Sequence, residues 1–240
     1  MVNQNSTSRN QPLLIGSGRL ASHLSYYFKS IHLEHFTWSR HESIEVLNQL
    51  LSKSSFVMLA IRDDAIEKFY LDHLLKSQLS VVHFSGAYFH PSMISFHPLM
   101  TFTQDLYPLE FYKKIHFAVS DLDQIKRLLP QLPNSCFLLP NNKKGIYHAW
   151  AVMMASGTQS LWKQAIQQME TLGVPEPACE LYLKKVTEQF FLDPKNSMTG
   201  PWVRNDQKTI EKNKVSLTDP QDQKLYGLLH SLAEKDLNLK

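Results

Sequence analysis

The sequence predicts an α/β fold, a doubly wound and mostly parallel sheet, followed by an all-α region. Three observations predict it. Short apolar runs alternate with segments of helical periodicity over the first part of the chain; the runs are too apolar to face water on either side, as strands covered by helices on both faces must be; and after residue 145 the strand pattern stops.

The elements follow in order. Leu13 to Ile15 is a short apolar strand closed by Gly16, and Leu20, Leu24, Tyr27 and Phe28 then recur at helical spacing. A second strand is read at "HFTW" (35 to 38), followed by a helix whose inner face is Ile44, Leu47, Leu50 and Leu51. "FVMLAI" (56 to 61) is a third strand, with Asp63 or Asp64 expected to cap the next helix. "LSVVHF" (79 to 84) is a fourth, ending in Ser85 and Gly86. Further strands are read at 95 to 99, 115 to 119 and 135 to 139, with Leu122, Ile125, Leu128 and Leu129 marking a helix between the last two. "PNNKKG" (140 to 145) reads as a joint, giving an expected first domain over 1–142 and a helical second domain over 143–240. Helices are expected at about 146 to 172, 176 to 192, 206 to 215 and 220 to 237, with Asp219 and Asp206 as caps and Pro220 as a first helical residue.

Composition narrows the class. The chain has 240 residues, of which 43% are hydrophobic and 20% charged, the balance of a folded protein rather than a disordered one. The 25 basic and 22 acidic residues leave a net charge of +3 without a basic block, so neither nucleic acid nor membrane is an expected partner. Two cysteines, Cys136 and Cys179, supply neither a disulfide framework nor metal-ligand spacing, so no metal is expected and a reducing cytoplasm fits. The polar start "MVNQNSTSRNQ" lacks the apolar core of a signal peptide, and its first ten residues read as a frayed tail.

One motif carries chemistry. Gly16, Gly18 and Ala21 form G-x-G-x-x-A between the first strand and the first helix, where a Rossmann-type domain grips a dinucleotide. The first glycine permits the turn, the second admits a pyrophosphate to the backbone, and the small third residue lets helix and strand pack closely. A bare turn is the alternative. Gly16, Ser17, Gly18, Arg19, Leu20 and Ala21 are therefore the expected cofactor contacts, with Ala60 and Ile61 at the end of the third strand. The second strand ends in "TWSR" with no acid there, so Ser39 and Arg40 favour the 2′-phosphate of NADPH over NADH, with Glu42 as a counterweight if the strand ends later.

Other polar residues fall where a cleft belongs. Ser85 and Gly86 lie at a strand's carboxyl end, which is either a ligand edge or a terminating turn. His97 precedes Pro98 in extended chain; alone, it reads as a hydrogen-bonded structural residue. His148, Val152 and Ser156 are four apart on one expected helix, either bordering a cleft or forming a core stripe. Arg204, in "MTGPWVRNDQKTI", is a candidate partner for a substrate carboxylate, or a loop clamp.

Taken in register, "GSGRLA", "AIRDDAI", "HFSGA", "HPLMTF", "YHAWAV" and "TGPWVRND" resemble a family of Rossmann-like oxidoreductases whose C-terminal helical domain is described only as of unknown function. Three positions depart from its pattern: Ser156 takes the place of a usual asparagine, "RND" replaces Arg-Gly-Asp, and Arg62 stands where proline is common. The family is related to β-hydroxyacid dehydrogenases, pyrroline-carboxylate reductases and ketopantoate reductases. The resemblance implies an NADPH-dependent reductase of a small carboxylate, with 2-dehydropantoate the leading substrate, a cyclic imine such as pyrroline-5-carboxylate the alternative, and a non-catalytic dinucleotide sensor a third reading. On it, His148 is the proton donor with Lys144 as competitor, Ser85 and His97 orient the substrate, Arg204 and Ser156 bind it, and the helical domain forms a homodimer. Leu181, Tyr182, Val186, Phe190 and Phe191 would supply that contact.

Overall fold

The computed structural model describes residues 11–237; the N-terminal ten residues, read above as a tail, lie outside them. The chain divides into two compact units, the first ending at Ser160 and the second beginning at Leu161. The boundary therefore falls later than the joint at 140–145. Helix α6 (Lys144–Val152) belongs to the first unit, because Lys144 and His148 pack onto strand ends there.

The first unit is built on one seven-stranded sheet of order β2-β1-β3-β4-β5-β6-β7. The strands are β1 (Gln11–Ile15), β2 (Phe36–Trp38), β3 (Ser54–Leu59), β4 (Ser80–His83), β5 (Ile94–Pro98), β6 (Phe117–Val119) and β7 (Cys136–Leu138). All pairings are parallel except β5 with β6. Chain reversal at β1 puts β2 on one side and β3 on the other, which leaves a crevice beyond the carboxyl ends of β1 and β3.

Alternation along the strands explains why helices cover both faces. Leu14, Phe56, Met58 and Val82 join one buried cluster with Leu24, Tyr27 and Phe28 of α1 (Arg19–Ser30). Their neighbours Leu13, Ile15, Val57, Leu59 and Val81 join a second cluster with Leu47 of α2 (Ile44–Leu51) and Ile66 of α3 (Asp63–Phe69). A two-residue period delivers successive side chains to opposite faces, and each finds a helix there.

Local chemistry places most helix starts. Ser43 caps α2 by accepting the Val46 N–H, and Asp121 caps α5 (Leu122–Leu128) by accepting from Gln124. At α3 the expectation fails: Arg62 is the cap residue, without a side-chain bond to the helix, and Asp63 and Asp64 lie inside the first turn. Asp63 is not free to cap because its carboxylate receives the Ser85 hydroxyl, and Asp64 is paired with Arg62. A short helix α4 (Leu109–Tyr112) follows β5.

The helix expected over 146–172 starts two residues earlier and is interrupted. Helix α6 (Lys144–Val152) passes into a π-helical turn at Met153–Gly157 before α7 (Thr158–Thr171) continues. The wider turn breaks the four-residue stripe, so Ser156 does not continue the face of His148 at α-helical spacing, and it is exposed. The second unit contains α8 (Glu176–Leu192), α9 (Gln207–Ser216) and α10 (Pro220–Leu237). Asp206 caps α9 through the Thr209 N–H, and Asp219 accepts the Gln221 N–H at the start of α10. Trp202 links the loop before α9 to α10 by donating to the Tyr226 hydroxyl at 3.0 Å.

Candidate functional site

The glycine turn sits at the crevice. Gly16 holds φ +141°, and a Cβ there would lie 2.3 Å from the Ala60 carbonyl oxygen, so this position admits no side chain. The cause is the sheet itself: the Gly16 N–H donates to Trp38 O at 2.9 Å and the Ala60 N–H to Ile15 O at 2.8 Å, drawing the ends of β1, β2 and β3 together. Ala21 is buried, as close packing of α1 on the turn requires. At Gly18 a Cβ would meet nothing within 4 Å, so the second glycine borders open space. Helix α1 begins there with no side-chain cap and no acid in its first turn, leaving amides and dipole available to an anion.

A cavity of about 840 Å³ opens over this turn. It is lined by Gly16 to Leu20, by Ala60 and Ile61 after β3, and by Arg40, all read in the sequence as cofactor contacts, whereas Ala21 is not part of the lining. The sequence assigns no cofactor role to the other lining groups, among them Trp38 at the end of β2, Arg62 and Phe69 at the two ends of α3, and Phe102 in the loop after β5. Three arginines, Arg19, Arg40 and Arg62, face this space, and among the described residues no carboxylate lines it. Arg62, at the position where proline is common, is steered by a two-point pair with Asp64 at 3.1 and 2.6 Å. Ser39 does not line the cavity; its N–H donates to a Glu42 carboxylate oxygen at 2.8 Å. Strand β2 does end at Trp38, yet Glu42 folds back onto the residue that follows it. These residues fit a dinucleotide: a side-chain-free turn, uncapped amides and flanking cations.

A second group converges at the carboxyl ends of β4 and β5. Its centre is Gly86, where a Cβ would lie 2.3 Å from His148 Cδ2 and 2.9 Å from His97 Nε2. Two imidazoles thus stand over the backbone of one glycine, with ring centroids 5.8 Å apart and planes nearly perpendicular. His97 Nδ1 lies 2.9 Å from the Tyr147 hydroxyl. Burial, then the charges of His148 and Lys144, pull His97 down to about 4, and burial pushes Tyr147 up to about 12.

Lys144 is 1% exposed, with Nζ donating to the Ser85 carbonyl oxygen at 3.0 Å and to the Ser95 hydroxyl. Burial draws its ammonium down to about 8, opposed by the Asp63 carboxylate. The Ser85 hydroxyl donates to Asp63 at 2.5 Å and accepts the N–H groups of Tyr88 and Ala87. Its hydrogen-bonding capacity is therefore spent on the turn, and what Ser85 presents to Lys144 is its carbonyl. His83 completes the base of the group: it is fully buried, its Nδ1 accepts the Ser85 N–H at 3.3 Å, and burial pulls it down to about 3.

The structure thus brings together His148, His97, Lys144 and Ser85, and gathers the glycine turn with Arg40. It adds Tyr147, Asp63 and His83, which lie within the motifs quoted but to which the sequence assigns no site role. Arg204 belongs to the second unit, exposed, its N–H donating to Gly200 O at 3.3 Å. Among the described residues no group of three or more His, Cys, Asp or Glu could hold a metal ion, and no helix is long and apolar enough to cross a membrane.

Comparison with known proteins agrees with this architecture. A protein of Thermotoga maritima is 22% identical, with a TM-score of 0.72 over 95% of this chain and 98% of its own. A Bacteroides fragilis protein, described provisionally as an NADP oxidoreductase, is 19% identical at 0.71, over 95% and 100%. Residues 118–232 match the family described as a domain of unknown function, DUF2520. The chain has a Rossmann-like fold. Its DUF2520 match starts within β6 and takes in β7, α6 and the helices of the second unit, so Lys144, Tyr147 and His148 all lie inside it. A pyrroline carboxylate reductase of Plasmodium falciparum, solved with NADP bound, shares the Rossmann-like fold at 10% identity and a TM-score of 0.58, over 97% of this chain and 99% of its own. No curated protein matches the sequence.

Proposed function

We propose that the protein is an NADPH-dependent reductase of a small oxo acid, with 2-dehydropantoate the leading substrate. The observation that carries the reading is the pairing of two sites along one sheet edge: a cationic glycine turn at β1 and β3, and a histidine and lysine group at β4 and β5. When bound, the nicotinamide supplies a hydride to the carbonyl carbon. The chain's own residues do the rest. Amides from Gly16 to Ala21 hold the diphosphate, and Arg40, with Arg19 and Arg62, favours a 2′-phosphate. His148, half-buried over Gly86, delivers a proton to the oxygen that becomes the alcohol, and takes one back from water. Lys144 is too deeply enclosed to touch a ligand; its charge lies beneath the strand ends and favours the developing alkoxide from there.

Arg204 is assigned to the substrate carboxylate, and Arg204→Ala is expected to raise KM with little change in kcat. Reduction of an imine such as pyrroline-5-carboxylate needs the same hydride and proton, and a pyrroline carboxylate reductase and an imine reductase from Myxococcus stipitatus share the fold. The helical region is assigned to a homodimer, since Leu181, Tyr182 and Phe191 on α8 are about 70% exposed or more. NADPH oxidation followed with each substrate tests the reading. Turnover with 2-dehydropantoate well above pyrroline-5-carboxylate supports it; the reverse selects the imine, and binding of NADPH with no turnover on either selects a sensor.

A further inference from the structure

We propose that His97 presents its Nε2–H as a neutral hydrogen-bond donor over Gly86, to the oxygen or nitrogen being reduced, and that Tyr147 is the positioning residue that fixes this tautomer. The donor role rests on the reductase reading; the tautomer does not.

Among the described residues His97 Nδ1 has one hydrogen-bond partner, the Tyr147 hydroxyl at 2.9 Å. A phenol is a good donor and a poor acceptor because its oxygen lone pair is shared with the ring, whereas the bare nitrogen of a neutral imidazole is among the strongest acceptors in a protein. The O–H therefore points to Nδ1, and the ring's own proton resides on Nε2. That nitrogen is the one over Gly86, 2.9 Å from where a Cβ would stand.

Neutrality follows from the surroundings. The titratable groups facing His97 are His148, Lys144 and Tyr147 on α6 and His83 on β4; the positive charges on this list oppose protonation, as does burial. Tyr147 keeps its proton across the working range because burial raises it to about 12. The phenol ring is in turn held perpendicular to His97 at 5.6 Å and against Phe137 at 6.2 Å. A neutral donor polarises a carbonyl without surrendering a proton, so the division of labour is donation by His97 and transfer by His148.

The test uses the full chain labelled with 15N-histidine, His97 being assigned by difference from His97→Gln. At pH 7 the wild type is expected to show Nε2 protonated and Nδ1 bare. Tyr147→Phe keeps both ring contacts and is expected to shift the tautomer ratio toward Nδ1–H about threefold to tenfold, with a matching fall in kcat and little change in KM. In the His97→Gln background, whose amide can donate from the Nε2 position without using Nδ1, adding Tyr147→Phe is expected to cost nothing more. Nδ1 found protonated in the wild type overturns the proposal, as does a tautomer ratio indifferent to Tyr147→Phe. If the tautomer behaves as expected but neither substrate is turned over, the reductase reading fails and the assignment of Tyr147 stands.

Discussion

Gly86 is the residue on which the proposed chemistry of the β4 edge turns. Two imidazoles occupy the space its missing side chain leaves, so Gly86→Ala must push His148 or His97 aside. The expected outcome is a fall in kcat of about a hundredfold or more with NADPH affinity kept, since the glycine turn is untouched; equal kcat in the variant would dismiss the cluster as catalytic machinery. The buried histidines also make a prediction in pH. His83 and His97 sit at about 3 and about 4 in the folded chain, against 6.5 ordinarily. Between those values the unfolded chain binds more protons, so the stability due to them is complete above pH 6.5 and is lost as pH falls through the range toward 3. Each contributes a slope of at most about 1.4 kcal/mol per pH unit. Thermal melts should show Tm dropping between pH 7 and pH 4.5, and a flat Tm over that interval contradicts the burial of these rings.

At the scale of elements, the glycine turn is a joint between strands before it is a binding site. Gly16→Val places a branched side chain at φ +141° and against the Ala60 carbonyl, which should cost about 2 kcal/mol or more and abolish cofactor binding. Arg40→Ala is gentler: it removes the proposed charge-assisted contact to the 2′-phosphate, so affinity for NADPH should fall about tenfold to a hundredfold while that for NADH stays. Equal loss for both coenzymes would show that Arg40 reads something they share. Much of this was legible in sequence because it is local. Strand periodicity, the glycine spacing after β1 and the caps at Asp206 and Asp219 are written in neighbouring residues. The failures are tertiary. The neighbouring residues allow Asp63 or Asp64 to cap α3, but Ser85, 22 positions away, claims the Asp63 carboxylate, and Arg62 pairs with Asp64. The π-helical turn at Met153–Gly157 leaves the composition of the segment helix-like, so the stripe through Ser156 looked continuous. Lys144 fell at the start of the expected helical domain, and only the closeness of the Ser85 carbonyl and Ser95 hydroxyl explains its burial in the first unit.

For the whole molecule, the division at Ser160 places every group of the histidine cluster and the glycine turn on one unit, so the two parts of the proposed reductase site share one sheet. The second unit exposes large side chains on α8, and a homodimer through it predicts a particle of two chains by light scattering. Leu181→Arg together with Phe191→Glu should reduce that particle to one chain; a wild-type monomer at high protein concentration would refute the dimer without touching the coenzyme site. The claim beneath all of these is that the turn after β1 holds a nicotinamide dinucleotide. Titration of the folded protein with NADPH, followed by calorimetry, tests it most directly. Saturable one-to-one binding, tighter than for NADH and abolished by Gly16→Val, is the expected result; heat indistinguishable from dilution up to millimolar NADPH would contradict it.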